Sequence, residues 1–203
     1  TLRLAQFAEA LNLLRDDSGR TVLTPSQTFS DLQVHREITV TSVGLQDFAR
    51  TMDVFTNPTV SPITTTVRVV GNLGSDAATM VFDTSDGDTD TETADQWIGT
   101  DDGMDGGGTP AIVHYMHGPF GLQPTSVART GDNIEWTFDL TVPAGQTVRL
   151  AYFTILANTR AEAEAAANAL VTPNGFGGQA AAFLTQSEID SLQNFGFNLP
   201  PVA

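Results

Sequence analysis

The stretch that decides the fold is NIEWTFDLTV (133–142), followed by PAGQ (143–146) and TVRLAYFTIL (147–156). Ile134, Trp136, Phe138, Leu140 and Val142 alternate with Glu135, Thr137, Asp139 and Thr141. A period of two is the signature of a strand with one face on a core and the other in solvent. Pro143, Ala144 and Gly145 then turn the chain, and Thr147 to Leu156 returns as a mostly apolar strand.

Moving outward, Leu32, Val34, Ile38 and Val40 alternate with Gln33, His35, Glu37 and Thr39. Asn57-Pro58 and Ser61-Pro62 bracket a turn before another strand, Ile63 to Val70. Asp16 to Gly19 and Asp86-Gly87 read as hairpin tips. From about Arg20 to Leu156 strand candidates recur with turns between them and no helices. A parallel sheet would need helical crossovers, so the pattern predicts a large, supersandwich-like antiparallel β-sandwich. In Thr1 to Leu14, Leu4, Phe7, Leu11 and Leu14 fit a helical face, while Leu2/Leu4 and Leu11/Leu13 fit strands; the strand reading is preferred, with part of the sheet upstream or in another chain.

The texture changes after Asn158. Thr159 and Glu162 have capping-box spacing ahead of an Ala-rich run, Ala161 to Leu170, which Pro173-Asn174-Gly175 stops. Thr185 and Glu188 open a second, short helix. The expected organisation is a β-sandwich over residues 1–157 and a C-terminal helical appendage over 158–203, packed at the sandwich edge.

The chain has 203 residues, 24 acids and 9 bases, giving a formal net charge of -15. Every base is arginine, and there is neither lysine nor cysteine. Disulfides, thiolate nucleophiles, Cys-type zinc sites and lysine Schiff bases are therefore excluded. A body so acidic repels phosphates and anionic lipid, which argues against nucleic-acid or membrane-surface partners. No apolar run is long enough to span a bilayer as a helix. Abundant Thr, Gly and Asp without Lys or Cys predict a secreted or cell-surface, bacterial-type protein.

Four groups of residues are candidates for function. Asp86, Asp88 and Asp90 have the one-three-five spacing of a Ca²⁺ loop, but Thr91 stands where that loop needs Gly and Trp97 where it needs Glu. The alternative is a hairpin tip with solvated carboxylates. Trp97, between Asp95 and Asp101, suits stacking on a sugar ring if exposed, or core packing if not. Arg36 and Arg50 share strand parity with apolar neighbours, so each needs a ligand anion in a concave groove or a structural partner such as Asp47 or Asp53. His114 and His117 fall on opposite faces of one strand and do not share a metal there. No nucleophile elbow, P-loop, dinucleotide fingerprint or HExxH motif occurs, so no catalytic residue is assigned.

The sequence therefore predicts an extracellular structural or adhesive module, self-assembling through sheet edges or joining other extracellular modules. The rival reading is a carbohydrate-binding or polysaccharide-acting module, which would bind or cleave a glycan with Arg36, Arg50, His114 or Tyr115 on one concave face and Trp97 in the same groove. Calcium is the one cofactor the pattern suggests.

Overall fold

The computed structural model describes residues 2–3, 14–15, 20–41, 48–73, 78–171 and 176–196. The expected hairpin tip at 16–19, the helix stop at 173–175 and most of the N-terminal segment lie outside them. In chain order the strands are β1 (Leu2–Arg3), β2 (Leu14–Arg15), β3 (Thr21–Leu23), β4 (Gln27–Phe29), β5 (Leu32–Thr41), β6 (Phe48–Thr56) and β7 (Ile63–Asn72). They continue as β8 (Met80–Thr84), β9 (Trp97–Asp101), β10 (Ala111–Tyr115), β11 (Ser126–Thr130), β12 (Asn133–Val142) and β13 (Thr147–Ala157). Two helices follow, α1 (Arg160–Leu170) and α2 (Gln186–Asp190).

Among the described residues the strands form two sheets. One has four strands in the order β1-β7-β12-β11. The other has nine, in the order β2-β3-β5-β6-β13-β10-β9-β8, with β4 also on β5. This is the expected antiparallel sandwich, with one exception: β1 pairs in parallel with β7. The N-terminal strand thus completes a sheet of its own chain.

The inner core follows from the alternation. Ile134, Trp136, Phe138, Leu140 and Val142 of β12 pack against Leu32 and Val34 of β5 and Val148, Leu150 and Tyr152 of β13. Burying side chains of this size is worth about 1.5–3 kcal/mol each, so β12 alone contributes on the order of 10 kcal/mol. A one-residue slip would turn all of them to solvent, which fixes the register. The turn ahead of β7 is held by Asn57, fully buried, whose amide donates to the Ser61 and Val142 carbonyls at 2.8 and 3.0 Å.

The outer face of the nine-stranded sheet is also covered. Phe48, Met52, Trp97, Tyr115, Ala151, Phe153 and Ile155 pack beneath Ala163, Ala167 and Leu170 of α1 and beneath Phe176 and Phe195. The helices therefore cover a face of the sheet, where the sequence suggested its edge. Both caps form: Thr159 accepts from the Glu162 amide, and Thr185 and Glu188 complete a reciprocal box. No helix among the described residues is long and apolar enough to cross a membrane.

The C-terminal segment also enters the sheet. β10 pairs with β13 only from Phe153 to Ala157, which would leave the start of β13 without a neighbour on that side. Residues 191–194 occupy this gap. The Arg149 amide donates to the Ser191 carbonyl and the Gln193 amide to the Arg149 carbonyl, each at 2.9 Å. Asn194, fully buried, continues the ladder with its side chain. Its Oδ1 accepts from the Ala151 amide at 2.9 Å, and its Nδ2 donates to the carbonyls of Ala151 and Met116 at 2.6 and 2.7 Å. Gly121 lets the neighbouring loop approach, since a Cβ there would lie 2.0 Å from the Asn194 carbonyl oxygen. Asn194→Ala strands three buried backbone groups, each costing about 1–3 kcal/mol unpaired. A loss of about 3 kcal/mol or more in urea unfolding is expected, and a loss under 1 kcal/mol would contradict this role.

Candidate functional site

A cleft lies between the two sheets, at the end where β7 leaves and β12 begins. Its volume is about 310 Å³. One wall is Val69 to Leu73 with Ile134 and Trp136, and the other is Arg36, Thr51, His114, Tyr152 and Thr154. It exists because the nine-stranded sheet outreaches the four-stranded one. Beyond it, Val40 and Leu156 belong to the inward-facing rows of β5 and β13 yet are 66% and 51% exposed.

Arg36 donates to Asp53 through two bonds, Nε to Oδ1 at 2.7 Å and Nη2 to Oδ2 at 2.9 Å. Asp53 is fully buried, so this pair answers the question posed by an arginine on an apolar face. Burial opposes the Arg36 charge, but Asp53 outweighs it and holds the guanidinium above its ordinary value. Tyr152 lies against the same pair, and burial pushes its phenol well above the usual range. His114 is 6.0 Å from Trp136, ring to ring, and its Nε2 lies 3.2 Å from Thr100 Oγ1. Burial lowers the His114 pKa to about 4, so the ring is uncharged at neutral pH. Trp136 is buried, and its indole N–H has no hydrogen-bond partner among the described residues.

The residues expected to share a groove are on opposite faces of the nine-stranded sheet. Arg36 faces inward to the cleft. Arg50 faces outward, buried, with Nη1 donating to the carbonyls of Ala180 and Ala182 at 2.9 and 2.8 Å. Burial brings its pKa down to about 10, against the pull of Glu188 and Glu37. Asp47 lies outside the described residues. Trp97 is also on the outer face, 3% exposed and inside the core beneath the helices. Tyr115 is there too, its hydroxyl 3.2 Å from Gln96 Oε1. His117, past the end of β10, is fully buried with Nδ1 3.0 Å from the Gly118 carbonyl. His35 lies 3.1 Å from Glu37.

The acidic tract has two uses. Its first half folds on itself. Thr84 Oγ1 donates to Asp86 Oδ1 at 2.8 Å, and the Asp90 amide donates to Asp88 Oδ1 at 2.8 Å. Asp95 is buried and accepts from the Glu92 amide at 2.7 Å. Burial raises its pKa, with Asp86, Asp88 and Glu92 adding to the rise. The second half anchors α1: Arg160 donates to Asp101 at 2.8 Å through Nε and to Asp105 through its backbone amide, also at 2.8 Å. Sequence reading did not find this anchor, nor Trp136, Tyr152 and Asn194 as functional positions. Among the described residues no group of three acids or histidines is arranged to hold a metal ion.

Two outcomes follow from this geometry. His114 titrates at about 4 folded and about 6.5 unfolded, so between those values the unfolded chain binds more protons. Its contribution therefore lowers stability as pH falls from about 6.5 towards 4, and is constant above. In urea unfolding, the stability difference between the native chain and His114→Gln should shift in favour of the variant between pH 6.5 and 5. Parallel profiles would contradict the neutral, desolvated histidine. Calcium held by Asp86, Asp88 and Asp90 requires that Tm rise in millimolar Ca²⁺ and that the rise vanish when all three become Asn. An unchanged Tm between chelator and calcium would end that reading.

No family model matches the chain, and no curated protein matches it. Among solved structures, it is similar to a chain described as a kojibiose phosphorylase from the human microbiome, with 10% identity and a TM-score of 0.45. That match covers 73% of this chain and 21% of the other. It is also similar to a polysaccharide lyase, with 16% identity and a TM-score of 0.43, over 74% of this chain and 24% of the lyase. The chain thus spans about a quarter or less of either protein.

Proposed function

We propose that the chain is a non-catalytic structural module of a secreted or cell-surface assembly, joining copies of itself through a sheet edge. The observation that supports this is β11. It pairs with β12 along all five residues, and among the described residues its other side has no strand. Ser126, Ala128, Arg129 and Thr130 are exposed. Edge strands are usually guarded by charged side chains, proline or a bulge; β11 has neither proline nor bulge, and its one charge, Arg129, donates to the Gly131 carbonyl at 2.9 Å. The edge at β8, by contrast, carries a register shift between Val81 and Asp83.

The groups that could do chemistry have structural duties. Arg36 serves Asp53, Arg50 serves the C-terminal loop, and Trp97 and Tyr115 serve the outer core. A glycan groove built from Arg36, Arg50 and Trp97 would need them on one face, and they occupy two. Both points favour the structural reading over the carbohydrate-acting one.

The net charge of -15 opposes packing of copies, so salt should promote association by screening it. Sedimentation velocity at about 20 mM and about 300 mM salt should show a concentration-dependent dimer or larger species, favoured at the higher salt. Ser126→Lys with Ala128→Lys should abolish it while leaving Tm unchanged. A monomer under every condition, or association indifferent to the two lysines, would overturn the proposal.

A further inference from the structure

The cleft between the sheets has a feature that self-association does not use. Trp136 is 3% exposed, lines the cleft, and leaves its indole N–H without a partner among the described residues. A buried donor left unpaired costs about 1–3 kcal/mol, and native interiors rarely keep one. Indole N–H can only donate, so its missing partner is an acceptor. The cleft's apolar lining includes Val69, Leu73, Ile112, Ile134 and Phe153, and its uncharged polar side chains are Thr51, Asn72, His114, Tyr152 and Thr154. The one charged lining residue, Arg36, is joined by two hydrogen bonds to the buried Asp53 behind it, and the pair is neutral as a unit. A ligand with a net charge would find no counter-charge. His114 is engaged with Thr100 and Tyr152 lies against Asp53, so a sugar, with hydroxyls on every side, would find fewer partners here than in water.

We propose that the cleft is a binding site for a compact, neutral, mainly apolar molecule with one carbonyl or ether oxygen, which accepts the hydrogen bond of the Trp136 indole. The volume of about 310 Å³ is at the small end of ligand sites, which suits a single ring system and excludes an extended chain. Apolar surface drives entry, and the indole sets orientation. Exposed Leu156 and Val40 extend the apolar surface on the same side of the sheet outside the cleft.

Camphor serves as the probe, because it is a compact bicyclic ketone. Bornane has the same body without the oxygen, and glucose is the polar control. Both indole N–H signals are observed by ¹H–¹⁵N correlation, with Trp97→Phe used to assign the one from Trp136. Camphor should move the Trp136 signal downfield in a saturable way and leave that of Trp97 in place. Bornane, followed by methyl shifts of Ile112 and Ile134, should bind roughly 3–10-fold more weakly, the worth of one hydrogen bond. Trp136→Phe, which keeps an aromatic ring in the core, should erase the preference for ketone over hydrocarbon. An unmoved Trp136 signal at millimolar camphor would overturn the proposal. So would equal affinity for the two bicyclic probes, or saturable binding of glucose at the same signal.

Discussion

β13 needs cover on both faces and a hydrogen-bonding neighbour on both edges, and the rest of the molecule is arranged to supply them. Its inward row, Val148, Leu150 and Tyr152, meets the four-stranded sheet. Its outward row, Ala151, Phe153 and Ile155, meets α1 and the C-terminal loops. On one edge β6 pairs with it from Thr147 to Ile155. On the other, β10 covers only the second half, and residues 191–194 cover the first. A central strand with open amides would be costly to bury, so the C-terminal segment is a structural necessity for this sheet.

That arrangement explains where the conspicuous side chains went. Covering the outer face with helices makes that face a second core, which takes Trp97 and Tyr115. Arg50 is buried there too and spends its guanidinium on the carbonyls of Ala180 and Ala182. The inner face is covered by a shorter sheet, which leaves a cleft at one end and puts Arg36, His114 and Trp136 around it. Strand alternation and register thus put Arg36 on one face and Arg50 and Trp97 on the other, although the sequence suggested a common groove.

Much of the fold was legible because β12 and β5 each bury one face, and one-sided burial writes a period of two into the sequence. The apolar run from Val148 was also visible, but a run buried on both sides does not say what lies on each side. For Arg36 the sequence offered a ligand anion or a partner such as Asp47 or Asp53, and the register that sets Arg36 directly across from Asp53 selects the last. Asn194 left no signal, because a side-chain amide that substitutes for backbone has no periodicity. Trp136 was readable as core from its parity with Phe138. Its unpaired N–H depends on where β7 and β10 stop, and no local pattern records that.

The central claim, that residues 191–194 are part of the sheet, is tested most directly by native-state hydrogen exchange along β13. The Arg149 and Ala151 amides bond to the C-terminal segment, while those of Phe153 and Ile155 lie on the side facing β10. If the segment is integral, the four amides should exchange together, at the free energy of global unfolding. Exchange at Arg149 and Ala151 about 100-fold faster than at Phe153 and Ile155, a gap of roughly 2.7 kcal/mol, would contradict it and make the C-terminal segment a detachable cover.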